Sequence, residues 1–206
     1  MTMTDAFQET QGIDFSTLTP AERYRQMISH IIPRPIAWVS TLNLQGQGNL
    51  APFSFFNGVA SDPACLMISI VPKRDGTLKD TLRNILDTGV FVVNGCEETH
   101  VHEVNETSAE LDYGQNELER VGLSAAPTRL IRGFRVLEAP WAMECRLRQV
   151  VDIGLRGTAG SAALVLGDIL YLYQAKKDWK PLSRLGGAFY GRTALGPELL
   201  RPKSRK

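Results

Sequence analysis

Apolar runs, some continuous and some alternating with polar residues, predict strands at 36–42, 49–56, 65–71, 90–94, 134–137, 142–150 and 162–173. The first two belong together. Ile36, Ala37, Trp38 and Val39 form an apolar run that ends in the hydroxyls of Ser40 and Thr41. The polar connection 43–48 carries Gly46 and Gly48, which suit a hairpin turn. The chain returns through Asn49-Leu-Ala-Pro-Phe-Ser-Phe-Phe-Asn57, setting Ser54 and Asn57 around Phe53, Phe55 and Phe56. A pocket rimmed by these strands offers apolar walls, hydroxyls, an amide and backbone N–H groups, which suits a flat aromatic ligand with a polar edge. Further on, 142–150 alternates as a half-buried strand does. The long run 162–173 follows a glycine-containing turn at 154–160 and is expected to bend at Gly167.

Helical spacing is confined to segments between these strands. Thr19, Pro20 and Glu22 form a capping box with proline at the first helical position, and the helix should run to about Ile28 and end before Pro33. In the segment 77–89, Leu78, Leu82, Ile85 and Leu86 recur at helical spacing and are expected to face the core. Thr77 and Asp80 make a looser capping box there, and Gly89 is the expected stop. Residues 98–109 and 115–121 suggest shorter helices. Strict alternation of strand and helix is missing, which favours a closed or nearly closed barrel over a doubly wound sheet.

Composition adds boundaries. With 206 residues, 43% of them hydrophobic and 22% charged, the chain reads as one domain at 16–195. A flexible segment at 1–15 and a basic tail at 196–206 flank it. A net charge of +1 gives no case for nucleic acid. The N-terminus has no apolar secretory core, and no run approaches the ~18 apolar residues of a membrane span. The expected location is therefore cytoplasmic. Cys65, Cys96 and Cys145 read as free thiols in a reducing compartment, the first and last packed in strands and Cys96 just beyond one, where the pattern leaves exposure open and gives little case for a redox centre.

The candidate chemistry is binding rather than nucleophilic. The start of the 78–88 helix brings Lys79 and Thr81 near free N–H groups, with Lys73, Arg74 and Arg83 close by. That set would hold a phosphate, and it equally describes a solvated face over an apolar stripe. Ser54 and Asn57 suit a ligand's hydroxyls or phosphate, or simply strand-end hydrogen bonds. Phe189 and Tyr190 follow Gly186-Gly187 and would make an aromatic lid over a planar ligand, or pack on the protein's own surface. His100 and His102 lie on different faces of a helix, no Cys/His metal spacing occurs, and no metal site is expected. GxSxG is absent, and Gly186-Gly187 lacks the strand–GxGxxG–helix context of a dinucleotide site.

An ordered set of motifs carries a family resemblance: Arg34-Pro-Ile-Ala-Trp-Val-Ser-Thr41, Asn49-Leu-Ala-Pro-Phe-Ser-Phe-Phe-Asn57, Lys79-Asp-Thr-Leu-Arg-Asn84, Phe91-Val-Val-Asn94, Glu144-Cys-Arg-Leu147 and Arg184-Leu-Gly-Gly187. Over roughly residues 20–192 the chain resembles the flavin reductase-like proteins with an FMN-binding split barrel, flavoredoxin-type members included. The resemblance implies a mainly β split barrel with inserted helices, non-covalent FMN and a homodimer with flavin near the interface. It implies that Trp38, Val39, Ser40 and Thr41 lie against the flavin ring. Ser54, Phe55, Phe56 and Asn57 would reach the ribityl chain and phosphate, and Lys79 and Thr81 would hold the phosphate. Tyr190 is a looser ring neighbour. Many relatives carry a histidine in the strand corresponding to 167–173, where this chain reads Gly-Asp-Ile-Leu-Tyr-Leu-Tyr, so that histidine's role does not transfer. The 154–161 connection is also too short to imply a substrate-covering loop. The implied activity is hydride transfer from NADH or NADPH to flavin, with a monooxygenase or another electron acceptor as possible partner. Two alternatives are an electron-transfer flavoprotein without direct NAD(P)H reaction and a non-enzymatic module for another planar ligand.

Overall fold

A computed structural model describes residues 12–194 and 196–199. Its strands, in chain order, are β1 (Arg34–Pro35), β2 (Ala37–Leu42), β3 (Gly48–Phe53), β4 (Phe56–Ser61), β5 (Ala64–Ile70), β6 (Val90–Asn94), β7 (Ala125–Pro127), β8 (Phe134–Val136), β9 (Trp141–Ile153), β10 (Ala162–Gln174), β11 (Leu182–Arg184) and β12 (Tyr190–Arg192). The α-helices are α1 (Pro20–His30), α2 (Asp80–Thr88), α3 (Val101–Glu106) and α4 (Glu117–Arg120). Within the segment expected to be flexible, Phe15–Thr17 forms a 3-10 turn capped by Asp14, and residues 1–11 lie outside the described set. Of the tail, only 196–199 are described.

Seven strands make one antiparallel sheet in the order β3-β2-β6-β9-β10-β5-β4. Its inward side chains meet in a single apolar cluster that joins Phe53, near one edge, to Leu66, Ile68 and Ile70, near the other. The sheet is therefore curled around its own core. The opposite face of β2 is also covered: Trp38 packs with Val104 of α3, Leu118 of α4, and Phe134 and Val136 of β8. Burial on both faces is what the continuous apolar run 36–39 predicts.

β9 and β10 pair over their length, with a register shift at Leu166/Gly167. A Cβ at Gly167 would stand 2.4 Å from Phe91 Cζ, so the glycine lets Phe91 of β6 pack against the bend.

Glu144 of β9 explains its motif. Its fully buried carboxylate accepts from the N–H groups of Arg129, Leu130 and Ile131 and from the Tyr173 hydroxyl, pinning the loop ahead of β8. Burial alone pushes its pKa up. The Arg129 N–H, the Tyr173 hydroxyl and the other two N–H groups outweigh that and hold it below the usual carboxylate value. A depressed native pKa gives stability that is present above the unfolded-state pKa and is lost as pH falls through the native one. Glu144→Gln turns two donors toward donors and should cost about 2–3 kcal/mol at pH 7. Urea unfolding should show that difference shrinking below about pH 4.5, the region where an unfolded carboxylate protonates.

Several expectations need correction. The strand expected over 49–56 stops at Phe53, and a new one starts at Phe56 and continues to Ser61. Asn57-Gly-Val-Ala-Ser61 carries no apolar run that marks a strand, yet it forms an exposed edge strand. The segment 98–109 is a 3-10 turn at Glu98–His100 followed by α3, shorter than expected. Cys96, whose exposure the sequence leaves open, is buried in the cluster with Trp38, and burial drives its thiol pKa far up. Leu86 is 38% exposed, while Leu82 and Ile85 are buried as expected. α2 begins at Asp80 with Lys79 at the cap position, where its side chain makes no capping hydrogen bond to the helix. Thr77 is drawn away, its hydroxyl donating to Asp75 Oδ1, and Asp80 pairs with Lys73 at 2.7 Å, so no capping box forms.

Candidate functional site

The end of β3 lies in a groove. One part, about 200 Å³, is lined by Ala51, Pro52 and Phe53, by Lys79, Asp80 and Thr81 at the start of α2, and by residues 107–111. A second part, also about 200 Å³, shares Pro52, Phe53 and Ser108 and adds Ser54, Tyr24, Arg184 and Tyr190. Either alone is below the ~300 Å³ of an ordinary small-molecule site, and joined they reach it. Ser54 also borders a third, mostly apolar cavity of about 440 Å³, lined by Phe55, Phe56, Asn57, Met27, Ile31 and Met67.

Of the residues expected at the site, Lys79 and Thr81 therefore line one part of the groove and Ser54 and Tyr190 the other, with Thr81 only 1% exposed. Phe55, Phe56 and Asn57 face the neighbouring cavity, where the Asn57 Oδ1 accepts from the Gly58 N–H.

Trp38, Val39, Ser40 and Thr41 are turned into the fold, each at most 1% exposed. Trp38 Nε1 donates to the Thr107 hydroxyl at 2.9 Å, and Val39 points into the barrel core. Ser40 Oγ donates to the Phe134 carbonyl. Asn94, the last residue of its motif, donates to the Trp38 carbonyl and Ser40 Oγ and accepts from the Val136 N–H. Thr41 Oγ accepts from Asn49 and Asn84, and Asn49 also donates to Thr81 Oγ at 2.9 Å. These hydroxyls are consumed in fixing β2, β3 and α2 to one another, since a buried polar group needs a partner.

At the α2 end of the groove, the absent cap leaves the first-turn N–H groups without a side-chain acceptor. Lys79 Nζ lies 2.9 Å from Glu110 Oε1, so an anionic oxygen already sits where the lysine can hold one. The hydrogen bond from Lys79 is the main cause holding the Glu110 carboxyl below its usual pKa. Nearby Glu117 moves the other way: burial raises it, partly offset by the Leu50 N–H. At the opposite end, the Arg184 guanidinium stacks 4.5 Å from the Tyr190 ring centroid, and the Tyr190 hydroxyl donates to Asn105 Oδ1 at 3.3 Å. Burial raises the Tyr190 pKa. Phe189 is 74% exposed.

Sequence reasoning missed Tyr24, Glu110 and Arg184. Arg184 lay in a recognised motif, but its side chain had no assigned task. Glu110 carries no local signal.

Arg34 was missed as well. Its guanidinium is buried and donates to the Ile28 and Ile31 carbonyls at the end of α1, to the Leu185 carbonyl and to Ser54 Oγ. It therefore ties together the walls of the groove and of the apolar cavity.

Among the described residues no cluster of three or more His, Cys, Asp or Glu side chains is placed to hold a metal ion, and no helix is long and apolar enough to cross a membrane.

The curled antiparallel barrel thus carries a groove with a lysine and helix N–H donors at one end and aromatic rings at the other. The chain belongs to the flavin reductase-like family: the family model for the flavin reductase like domain matches residues 28–190. Nitrilotriacetate monooxygenase component B from Bacillus cereus superposes with a TM-score of 0.85 at 32% identity, covering 92% of this chain and 98% of that one. The 2-nitrobenzoate 2-nitroreductase NbaA from Pseudomonas fluorescens gives 0.81 at 30% identity, covering 93% and 96%. A split barrel domain protein from Shewanella frigidimarina NCIMB 400 gives 0.77 at 19% identity, covering 93% and 100%, and the fold is that split barrel.

Proposed function

We propose that this chain binds FMN in the groove and transfers hydride from NADH or NADPH to it. The observation that carries the reading is the pair of adjoining pockets that share Pro52, Phe53 and Ser108, one reaching Lys79 and the uncapped start of α2, the other Tyr24 and Tyr190. Family membership supports a flavin as the planar ligand. The donor set fits: Lys79 and the first-turn N–H groups of α2 would hold the phosphate, with the helix dipole adding to them. Pro52 and Phe53 would floor the site, Ser54 would meet the polar chain, and Tyr190 would flank the ring. Trp38, Val39, Ser40 and Thr41 would act only by keeping β2 and β3 in place. Bound FMN supplies the hydride acceptor. The chain's own part is to orient the two rings and to limit water where they meet.

Lys79→Ala should weaken FMN binding by about 1.5 kcal/mol, roughly tenfold, the lower end for a charge-assisted contact. The lower end applies because the Lys79 side chain keeps 24% of its surface exposed and gives up Glu110 to bind. Fluorescence titration with FMN measures this, and an unchanged affinity would remove Lys79 from the site.

A homodimer is part of the reading. The apolar cavity beside Ser54 opens among exposed Met27 and Ile31, and Val59 on the edge strand β4 is exposed as well. A second copy would cover this face. Sedimentation should give twice the chain mass, and a monomer at micromolar concentration would contradict the dimer. A monooxygenase as recipient of reduced flavin is supported by the likeness to a monooxygenase component. Reduced-flavin transfer to a candidate oxygenase in a coupled assay tests it, and a chain that never passes electrons on would argue against it.

A further inference from the structure

The groove proposed above for FMN holds a negative charge at the point where the ligand's phosphate would bind. Three carboxylates line that end, Asp80, Glu110 and Glu117. Two have fixed duties. Asp80 opens α2 and pairs with Lys73, while Glu117 is buried and accepts from the Leu50 N–H at 2.9 Å. Glu110 is exposed, belongs to the connection between α3 and α4, and pairs with Lys79 alone among the described residues. Just upstream, Thr107 is fully buried, accepting from Trp38 Nε1 and donating to the Val104 carbonyl. The segment thus leaves a fixed anchor and carries a carboxylate back across the groove to the lysine. Because Glu110 sits outside helix and strand, it can release Lys79 without disturbing either.

The geometry points to Glu110 as an internal competitor for the ligand's phosphate. It occupies Lys79 when the groove is empty and is displaced when a phosphate-bearing flavin enters, so it sets how strongly the chain distinguishes FMN from riboflavin. This rests on the FMN reading above. The Glu110 carboxylate opposes phosphate binding twice: its ion pair with Lys79 must break, and its charge then repels the phosphate from close by. Riboflavin has no phosphate and meets neither penalty.

The test is a double-mutant cycle on the full, flavin-stripped chain at low ionic strength. Dissociation constants for FMN and riboflavin are measured by flavin fluorescence for wild type, Glu110→Gln, Lys79→Ala and the double variant. Glu110→Gln keeps the side chain's size and removes its charge. It should tighten FMN binding about fivefold, at the upper end for an exposed ion pair. Riboflavin binding should not change, and the FMN gain should vanish in the Lys79→Ala background. If Glu110→Gln leaves FMN affinity unchanged or weaker while Lys79→Ala still weakens FMN selectively, the competitor role is overturned and the phosphate site stands. If Lys79→Ala does not alter the ratio of FMN to riboflavin affinity, the phosphate does not bind at Lys79 and both readings fall.

Discussion

Arg34→Ala should lower the unfolding free energy by about 3–5 kcal/mol, the range for removing one partner from a buried charged network. The guanidinium, 4% exposed, satisfies the Ile28 and Ile31 carbonyls at the end of α1, where a helix leaves carbonyls unpaired. It also holds the Leu185 carbonyl at 3.0 Å, across 151 positions of sequence. Burial lowers its pKa from the ordinary arginine value. Alanine would leave three carbonyls without donors and detach α1 and the 185–189 turn from the barrel. Lysine should recover only part of the loss, because one ammonium cannot reproduce the fork that reaches all of them. Urea unfolding of both variants measures the effect. A loss below about 1 kcal/mol for alanine, the value of a single ordinary hydrogen bond, would mean that water replaces the guanidinium and that Arg34 is not a tie.

Trp38→Ala should cost a similar amount, about 3–5 kcal/mol, the usual range for truncating a buried tryptophan. Trp38 is 0% exposed and sits among Val104, Leu118, Phe134 and Val136. Its Nε1 also holds Thr107, so truncation leaves both a cavity and a buried hydroxyl short of a donor. Trp38→Phe separates packing from ligand binding. It should cost about 2 kcal/mol of stability yet leave the FMN dissociation constant within about threefold of wild type. A flavin-stacking tryptophan would show the reverse, a large loss of affinity with little change in urea midpoint.

Local signals made much of the fold legible. Thr19 and Glu22 form the capping box that the sequence predicts, with Pro20 at the first helical position. Gly89 ends α2 in the left-handed region, at φ 72°. Gly167, inside β10, falls at a register shift against β9. What stayed hidden depends on distant partners. β4 shows no apolar run because it is an edge strand, mixing Asn57, Gly58, Ala60 and Ser61 with Phe56 and Val59, and among the described residues it pairs with β5 alone. β1 and β11 are two and three residues long, too short to show a period, and they find each other across the chain.

The site divides the same way. Lys79, Thr81, Ser54 and Tyr190 stand out as residue types at strand and helix ends, and the fold brings them to two adjoining pockets, Lys79 and Thr81 in one, Ser54 and Tyr190 in the other. Ser40 and Thr41 have the chemistry of ligand donors, but their partners, the Phe134 carbonyl, Asn49 and Asn84, are donors and acceptors of the fold itself. Sequence spacing cannot distinguish a hydroxyl awaiting a ligand from one already satisfied. Glu110 is invisible for a related reason: its meaning comes from Lys79, 31 positions away.

The measurement that bears most directly on the central claim is the visible spectrum of the protein after reconstitution with FMN, followed by anaerobic addition of NADH and NADPH in a stopped-flow instrument. The expected result is an oxidised-flavin spectrum perturbed by binding that bleaches rapidly with at least one nicotinamide, which also names the donor. Flavin bands that persist with both would contradict hydride transfer and leave an electron carrier reduced by another protein. Failure to take up FMN at all would contradict the groove's assignment.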